Sequence, residues 1–410
     1  METKAGDPGA FAHFDLARVD SPAFVVDLAA LRRNLSVLAD IRDRAGIKVL
    51  AAMKAFSMWR VAPVIGEYLD GVCTSGKWEA QLAAEHYAGE IATYCAAYKA
   101  EDLPQIFKLS DHVIFNTPGQ HARFAGEIAA ARAGGHAFDI GLRINPMHAT
   151  GEVAKYDPCA PHSRLGFPVD QLLPKHLEGV SGLHFHSLCE QDFEPLERTW
   201  AKLKPLLAPH FGRLEWLNFG GGHHITRADY QRDELVEFLK AVKAETGCQI
   251  YLEPGEAIAL DAGILVGTVL DMLWNGMPLA VTDISATCHM PDVIEAPYRP
   301  AMLGERPIDE YEDGGSDTGG DTGGDTGCDM PVRLGGPSCL AGDVIGDYLM
   351  PVPCAPGARF AFLDQAHYSM VKTTTFNGVP LPSIWLWDSA SDALECVRRF
   401  EYEDFRDRLS

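Results

Sequence analysis

The stretch "WLNFGGGHHITRADYQRDELVEFLKAVKAETGCQIYLEPGEA", residues 216–257, decides the fold. It opens on a short apolar run and crosses a glycine triplet. It then enters an amphipathic segment that stops at Gly247, as a helix C-terminus should. A second apolar run, "QIYLEPG", follows at once. Strand, helix and strand in succession form the repeat of a parallel sheet.

The same texture recurs toward the N-terminus. The runs are "KVLAAMK" (48–54), "DGVCTS" (70–75), "EIATYC" (90–95), "HVIFN" (112–116), "DIGLRIN" (139–145) and "SGLHFH" (181–186). With "WLNFGGG" (216–222) and "QIYLEPG" (249–255) they number eight. Eight such units suit an α/β fold of the (β/α)8 TIM-like barrel type. A doubly wound open sheet is the competing arrangement.

Past residue 262 the pattern changes. "GILVGTVLDMLW", "PLAVTDIS", "ARFAFLDQAHYSM" and "PSIWLW" alternate with turns and predict a mostly β second domain. The expected organisation is an N-terminal segment, 1–28, joining the β domain, a barrel over 29–262 and the β domain over 263–410. The tail "ALECVRRFEYEDFRDRLS" reads as a short terminal helix. Residues 304–331, "GERPIDEYEDGGSDTGGDTGGDTGCDMP", are acidic, Gly-rich and repetitive. They hold too little apolar surface to offset ordering and read as a disordered surface insertion.

Composition narrows the function. The chain has 410 residues, 47% hydrophobic and 22% charged, as in an ordinary globular protein. A formal charge of −22 disfavours nucleic acid and favours cationic partners, although solubility alone accounts for it. No apolar run reaches membrane-spanning length, and the N-terminus lacks the pattern of a secretory signal. The ten cysteines are scattered without a C-x-x-C pair, so reduced thiols and a cytoplasmic location are expected.

Reactive residues gather where the runs end, which is where barrel enzymes build their sites. Lys54 ends the first run among apolar neighbours. Alone it reads as a snorkelling strand-end lysine. In a low-dielectric site its free amine would suit Schiff-base chemistry. Gly220, Gly221 and Gly222 let the backbone approach an anion, or simply make a tight turn. Glu253 needs a partner if buried, either backbone donors or a protonated ring nitrogen. His184 and His186 share a strand face. Zinc is a weak reading of them, because no compact second ligand pair follows even with Cys288 and His289 at hand, and no metal is expected. Cys339, in a Gly/Pro-rich loop, is a candidate proton donor or an incidental thiol.

Together these motifs resemble the fold-type III pyridoxal-phosphate decarboxylases, the group of ornithine, arginine and diaminopimelate decarboxylases. The wording of "YDPCAPHSRLG", "LHFHSLCEQ", "NFGGGHHITR", "LEPGEA", "SATCHMPDVIE", "GGPSCLAGDVIGDY" and "AHYSMVKTTTFNG" is closer to the carboxynorspermidine/carboxyspermidine branch. The likeness runs over about residues 20–410, the 304–331 insertion excepted.

The resemblance implies pyridoxal 5'-phosphate as cofactor, with Lys54 forming the Schiff base. It implies His186 stacking on the ring, Glu253 keeping the pyridine nitrogen protonated, Gly220, Gly221 and Gly222 holding the phosphate, and Tyr368 reaching that phosphate from the β domain. It implies a homodimer with shared active sites, in which Cys339 returns a proton across the interface. Asp70, Arg143 and His184 would support the site. One departure is informative. Ornithine and diaminopimelate decarboxylases carry arginine after E-P-G, and here the residue is Glu256. A carboxylate cannot help bind phosphate, so Glu256, with Asp292 and Asp343, is expected to face a small cationic polyamine amino acid. Alternative readings are a diaminopimelate or ornithine decarboxylase, and a non-catalytic relative that binds partners, although the latter would be expected to lack the lysine, the glycines or the loop cysteine, all of which are present.

Overall fold

The computed structural model describes residues 6–151, 153–306, 308 and 330–410. It divides into two units, Met1–Leu31 with Ala259–Ser410, and Arg32–Ile258. The acidic stretch within 304–331 lies largely outside the described residues. No described helix is long and apolar enough to cross a membrane.

The first strand, β1 (Ala23–Asp27), belongs to the discontinuous unit. The next nine lie in the other: β2 (Lys48–Ala52), β3 (Gly71–Thr74), β4 (Glu90–Tyr94), β5 (His112–Phe115), β6 (Asp139–Asn145), β7 (Phe167–Pro168), β8 (Gly182–His184), β9 (Trp216–Asn218) and β10 (Gln249–Leu252). All but β7 form a parallel ring in the order β5-β4-β3-β2-β10-β9-β8-β6, and the β5–β6 pairing closes it. β7 only extends the end of β6. The barrel expected from the eight runs is therefore the observed fold, and the open sheet is excluded by closure.

The interior is filled by side chains, as closure at eight strands requires. Leu50, Ala92, Ile114, Trp216 and Tyr251 form one buried cluster. Trp216 explains two glycines. A Cβ at Gly182 would lie 1.9 Å from its ring, and one at Gly141 would lie 2.5 Å from it. Toward the N-terminal ends of the strands the interior becomes polar. Glu90 pairs with Lys48, accepts from Tyr251 Oη at 3.0 Å and lies 3.5 Å from His112 Nε2.

The other unit is a mixed sheet of β1 with β11 (Gly263–Trp274), β12 (Pro278–Thr282), β13 (Val332–Gly335), β14 (Val344–Tyr348), β15 (Arg359–Phe362), β16 (Ser383–Asp388) and β17 (Ala393–Arg398). Its order is β14-β13-β12-β11-β1-β16-β17, with β15 also on β11. β11 is the spine. Its first half is buried between β1 and β15, and its exposed second half pairs with β12 past a bulge at Val269/Asp271. The expected mostly β character is observed, with more strands than the apolar runs suggested. The tail departs from expectation. Its first half is β17, paired antiparallel to β16, and only Tyr402–Arg406 is helical.

Candidate active site

Lys54 lies just beyond the end of β2. Met53, Ala55 and Phe56 beside it are buried, while its own side chain opens into the barrel mouth. The surrounding protein still desolvates the ammonium enough to lower its pKa, with the Arg143 charge acting in the same direction and the Glu253 charge opposing it. The turn is anchored by two bonds. Ala52 N–H donates to Pro254 O at 2.9 Å, and Met53 N–H donates to Cys73 O at 3.1 Å. Lys54 is thereby fixed beside the loop that carries Glu253.

Glu253 follows β10. Its Oε2 is 3.1 Å from His184 Nε2, and its Oε1 accepts from Asn218 Nδ2 at 2.7 Å. Burial pushes the carboxyl up, but His184, Asn218 and the Lys54 charge outweigh it and hold the group below its usual range. Burial also lowers the pKa of His184. The consistent state is an ionised Glu253 accepting an N–H from a neutral imidazole. A carboxylate has room for further donors beyond these two.

The glycine loop needs all three glycines. A Cβ at Gly221 would sit 2.0 Å from Glu253 O, one at Gly222 2.1 Å from Leu188 O, and one at Gly220 2.7 Å from His186 Cβ. Gly220 and Gly222 also hold φ of +67° and +87°. Two of the amides are engaged inside the protein. Gly220 N–H donates to Asn218 Oδ1 and Gly221 N–H to His186 Nδ1, both at 2.9 Å. Among the described residues no acceptor is found for the Gly222 N–H. That bond to His186 fixes the imidazole at the mouth, and burial keeps it neutral, well below the ordinary histidine range.

Arg143, buried in β6, donates to His186 O at 3.3 Å and lies over the Tyr94 ring at 4.5 Å. Tyr94 in turn stacks on His184 at 5.6 Å. Sequence reasoning missed Tyr94 and Asn218. Asn218 carried a signal, as the polar residue ending a strand before the triplet. Tyr94 acquires its place only from neighbours on two other strands.

Asp70 corrects an expectation. It precedes β3, donates its N–H to Val49 O at 3.0 Å and accepts the Val49 N–H on Oδ2 at 2.9 Å. Val49 lies five residues before Lys54, about 16 Å along a strand. Asp70 thus tends the opposite rim and does not support the site.

The remaining candidates, Glu256 apart, lie in the discontinuous unit. Cys339 is exposed, and its N–H donates to Asn377 Oδ1 at 2.9 Å. Asp343 is buried and accepts from Ser285 Oγ at 2.8 Å, Ser338 Oγ at 2.6 Å and Thr287 N at 3.2 Å. These bonds make its carboxylate the organiser of the Cys339 loop. Asp292 pairs with Lys372, which Glu295 also approaches at 3.4 Å, so a substrate amine would have to displace a lysine there. Tyr368 holds φ +53°, with its ring edge-on to His367.

In the barrel mouth, then, a desolvated amine, an ionised carboxylate held by neutral donors and a crowded glycine loop lie together. The set fits a cofactor with an aldehyde, a basic ring nitrogen and an anionic tail. No family model matches the chain. A carboxynorspermidine/carboxyspermidine decarboxylase from Campylobacter jejuni is 36% identical over 388 residues, 95% of this chain and 98% of that protein. The chain belongs to the carboxynorspermidine/carboxyspermidine decarboxylase family. A carboxyaminopropylagmatine decarboxylase from Synechocystis is 37% identical, covering 96% of each chain. The crystal structure of a carboxynorspermidine decarboxylase from Campylobacter jejuni, complexed with norspermidine, superposes with a TM-score of 0.83 at 35% identity, over 95% of this chain and all of that one. Diaminopimelate decarboxylase from Helicobacter pylori shares the fold alone, at TM-score 0.74 and 17% identity over 96% and 97% of the two chains. The carboxynorspermidine/carboxyspermidine decarboxylases are carboxy-lyases, so membership makes this chain an enzyme of that class.

Proposed function

We propose that this chain removes carbon dioxide from carboxynorspermidine, carboxyspermidine or both, releasing norspermidine or spermidine, with pyridoxal 5'-phosphate as its cofactor. The observation that carries the reading is Glu253, ionised by His184 and Asn218 within electrostatic reach of Lys54. When bound, the cofactor supplies an aldehyde for amines and a ring that takes up the electron pair left by carbon dioxide. Lys54 offers the amine that holds the aldehyde. Glu253 would hold a proton on the cofactor's ring nitrogen. His186 would pack on the cofactor ring, and the Gly222 N–H, with Tyr368, would hold its phosphate. Cys339, supplied by a second copy of the chain, returns the proton to the substrate carbon. Glu256 takes an ammonium of the polyamine chain.

The Synechocystis relative favours a second reading, in which the substrate ends in a guanidinium. Carbon dioxide release separates the two. Carboxynorspermidine, carboxyspermidine, carboxyaminopropylagmatine, diaminopimelate and ornithine are each supplied with and without pyridoxal phosphate. Release from either of the first two, dependent on the cofactor, supports the proposal. Release from carboxyaminopropylagmatine alone selects the second reading. Release from diaminopimelate or ornithine alone overturns both. Lys54→Ala should abolish the visible absorbance of the cofactor-loaded protein along with turnover.

A further inference from the structure

Glu256 opens a short helix, Glu256–Ala259, and its side chain is only 11% exposed. So enclosed a carboxylate needs a partner. The nearest cation is His224, whose Nδ1 lies 3.3 Å from Glu256 Oε1, within ion-pair distance but outside hydrogen-bond geometry, with the imidazole 13% exposed. Neighbouring bonds fix both sides of the pair. His224 N–H donates to Gln191 O at 3.0 Å, and Gln191 N–H donates to Gly222 O at 3.0 Å. Thr226 Oγ1 donates to Ala257 O at 2.8 Å, which stitches the histidine loop to the helix bearing Glu256. The pair also sits on the loops that carry the cofactor candidates, because Glu256 follows Glu253 by three residues and His224 follows Gly222 by two.

We propose that His224 determines specificity by competing with the substrate for Glu256. Neutral His224 leaves the carboxylate to a substrate ammonium, and protonated His224 occupies it. The inference rests on the reading of Glu256 as an amine-binding residue.

The charged groups around His224 set where the competition titrates. Burial lowers its pKa, contact with Glu256 raises it, Arg227 lowers it and Glu190 raises it, and the balance lies above the ordinary histidine value. Arg227 is itself paired with Asp229 at 2.9 Å. The adjacent His223 does not join in. It is buried, its Nδ1 lies 3.1 Å from Tyr230 Oη, and burial takes its pKa down to about 4. His223 therefore stays neutral while His224 changes charge. Rising pH frees Glu256, so affinity for a cation should rise with pH while the ammonium groups stay protonated.

The test is the inhibition constant of norspermidine on the cofactor-loaded enzyme between pH 6.5 and 8.5. In the unaltered protein, affinity should improve roughly tenfold per pH unit below the His224 pKa, as expected for loss of one proton on binding. His224→Gln and His224→Asn should both bind at pH 6.5 about as well as the unaltered protein does at pH 8.5. Retention of the unaltered pH profile by both variants overturns the competition. Glu256→Gln should bind weakly with a flat profile. If it binds norspermidine as tightly as the unaltered protein, the reading of Glu256 fails, which is a separate result from failure of the histidine competition.

Discussion

His184 Nε2 and Glu253 Oε2 lie 3.1 Å apart, with side chains only 2% and 10% exposed. The histidine donates a hydrogen bond to the carboxylate without adding a charge, because burial keeps the imidazole neutral. Glu253 has a depressed pKa, so its ionised form is present above that value and lost as pH falls through it. His184→Ala removes one donor and lets the pKa rise. The acid limb of the kcat–pH profile should therefore move to higher pH. Glu253→Gln should lower kcat about 10²–10⁴-fold. Both are read from steady-state rates between pH 5 and 9, and an unmoved acid limb in His184→Ala would dismiss this role.

Gly221→Ala places a methyl 2.0 Å from Glu253 O. Backbone cannot yield there as a flexible side chain would. We expect a loss of about 1–3 kcal/mol in stability together with poor cofactor retention, followed by thermal melting and by absorbance after gel filtration.

Glu90 governs the opposite end of the barrel. Burial alone would push its carboxyl up, but His112, Lys48 and Tyr251 bring it down to about 2. The contribution of a depressed carboxyl is present above its unfolded pKa, near 4.3, and fades as pH falls toward 2. Glu90→Gln should cost about 1–3 kcal/mol at pH 7. Urea titrations at pH 7 and pH 4 should show the gap narrowing at the lower pH.

Asp261 behaves in the opposite sense. Burial first, then the charge of Asp364, raises its carboxyl to about 7, with the Gly6 N–H at 2.7 Å opposing them. The folded state thus holds an extra proton between about pH 4 and 7, and stability falls as pH rises through that window. Asp261→Asn keeps the acceptor for Gly6 and removes the repulsion. The variant should melt a few degrees above the unaltered protein at pH 8 and level with it at pH 4. Equal melting temperatures at pH 8 would refute the assignment.

The barrel was legible because each of its strands is an apolar run closed by a turn, and each reactive residue stands next to that turn. Lys54, Glu253 and the glycines could be found in this way. Asp70 was misread because a polar residue beside a strand does not reveal which rim it serves. Tyr94 escaped notice because the residues that sandwich it, Arg143 and His184, come from other strands. The same holds for Asp292 and Lys372, which meet across 80 residues of chain. Strands β13, β14 and β17 are short and flanked by glycines or charges, so only their ladders reveal them. His224 stood in the quoted motif from the start, and its significance emerged only with Glu256 across the gap.

The barrel unit is one uninterrupted segment, whereas the other unit is split around it. Translation order follows from that. β1 leaves the ribosome early but must wait for β11 and β16, its partners on either side. The barrel is meanwhile synthesised whole and has every strand it needs to close. Folding on the ribosome is therefore sequential. The barrel can be finished while the first strand of the other unit is still unpaired. A nascent chain arrested once residue 258 has cleared the ribosome should already resist protease over its barrel segment, with β1 still open to cleavage.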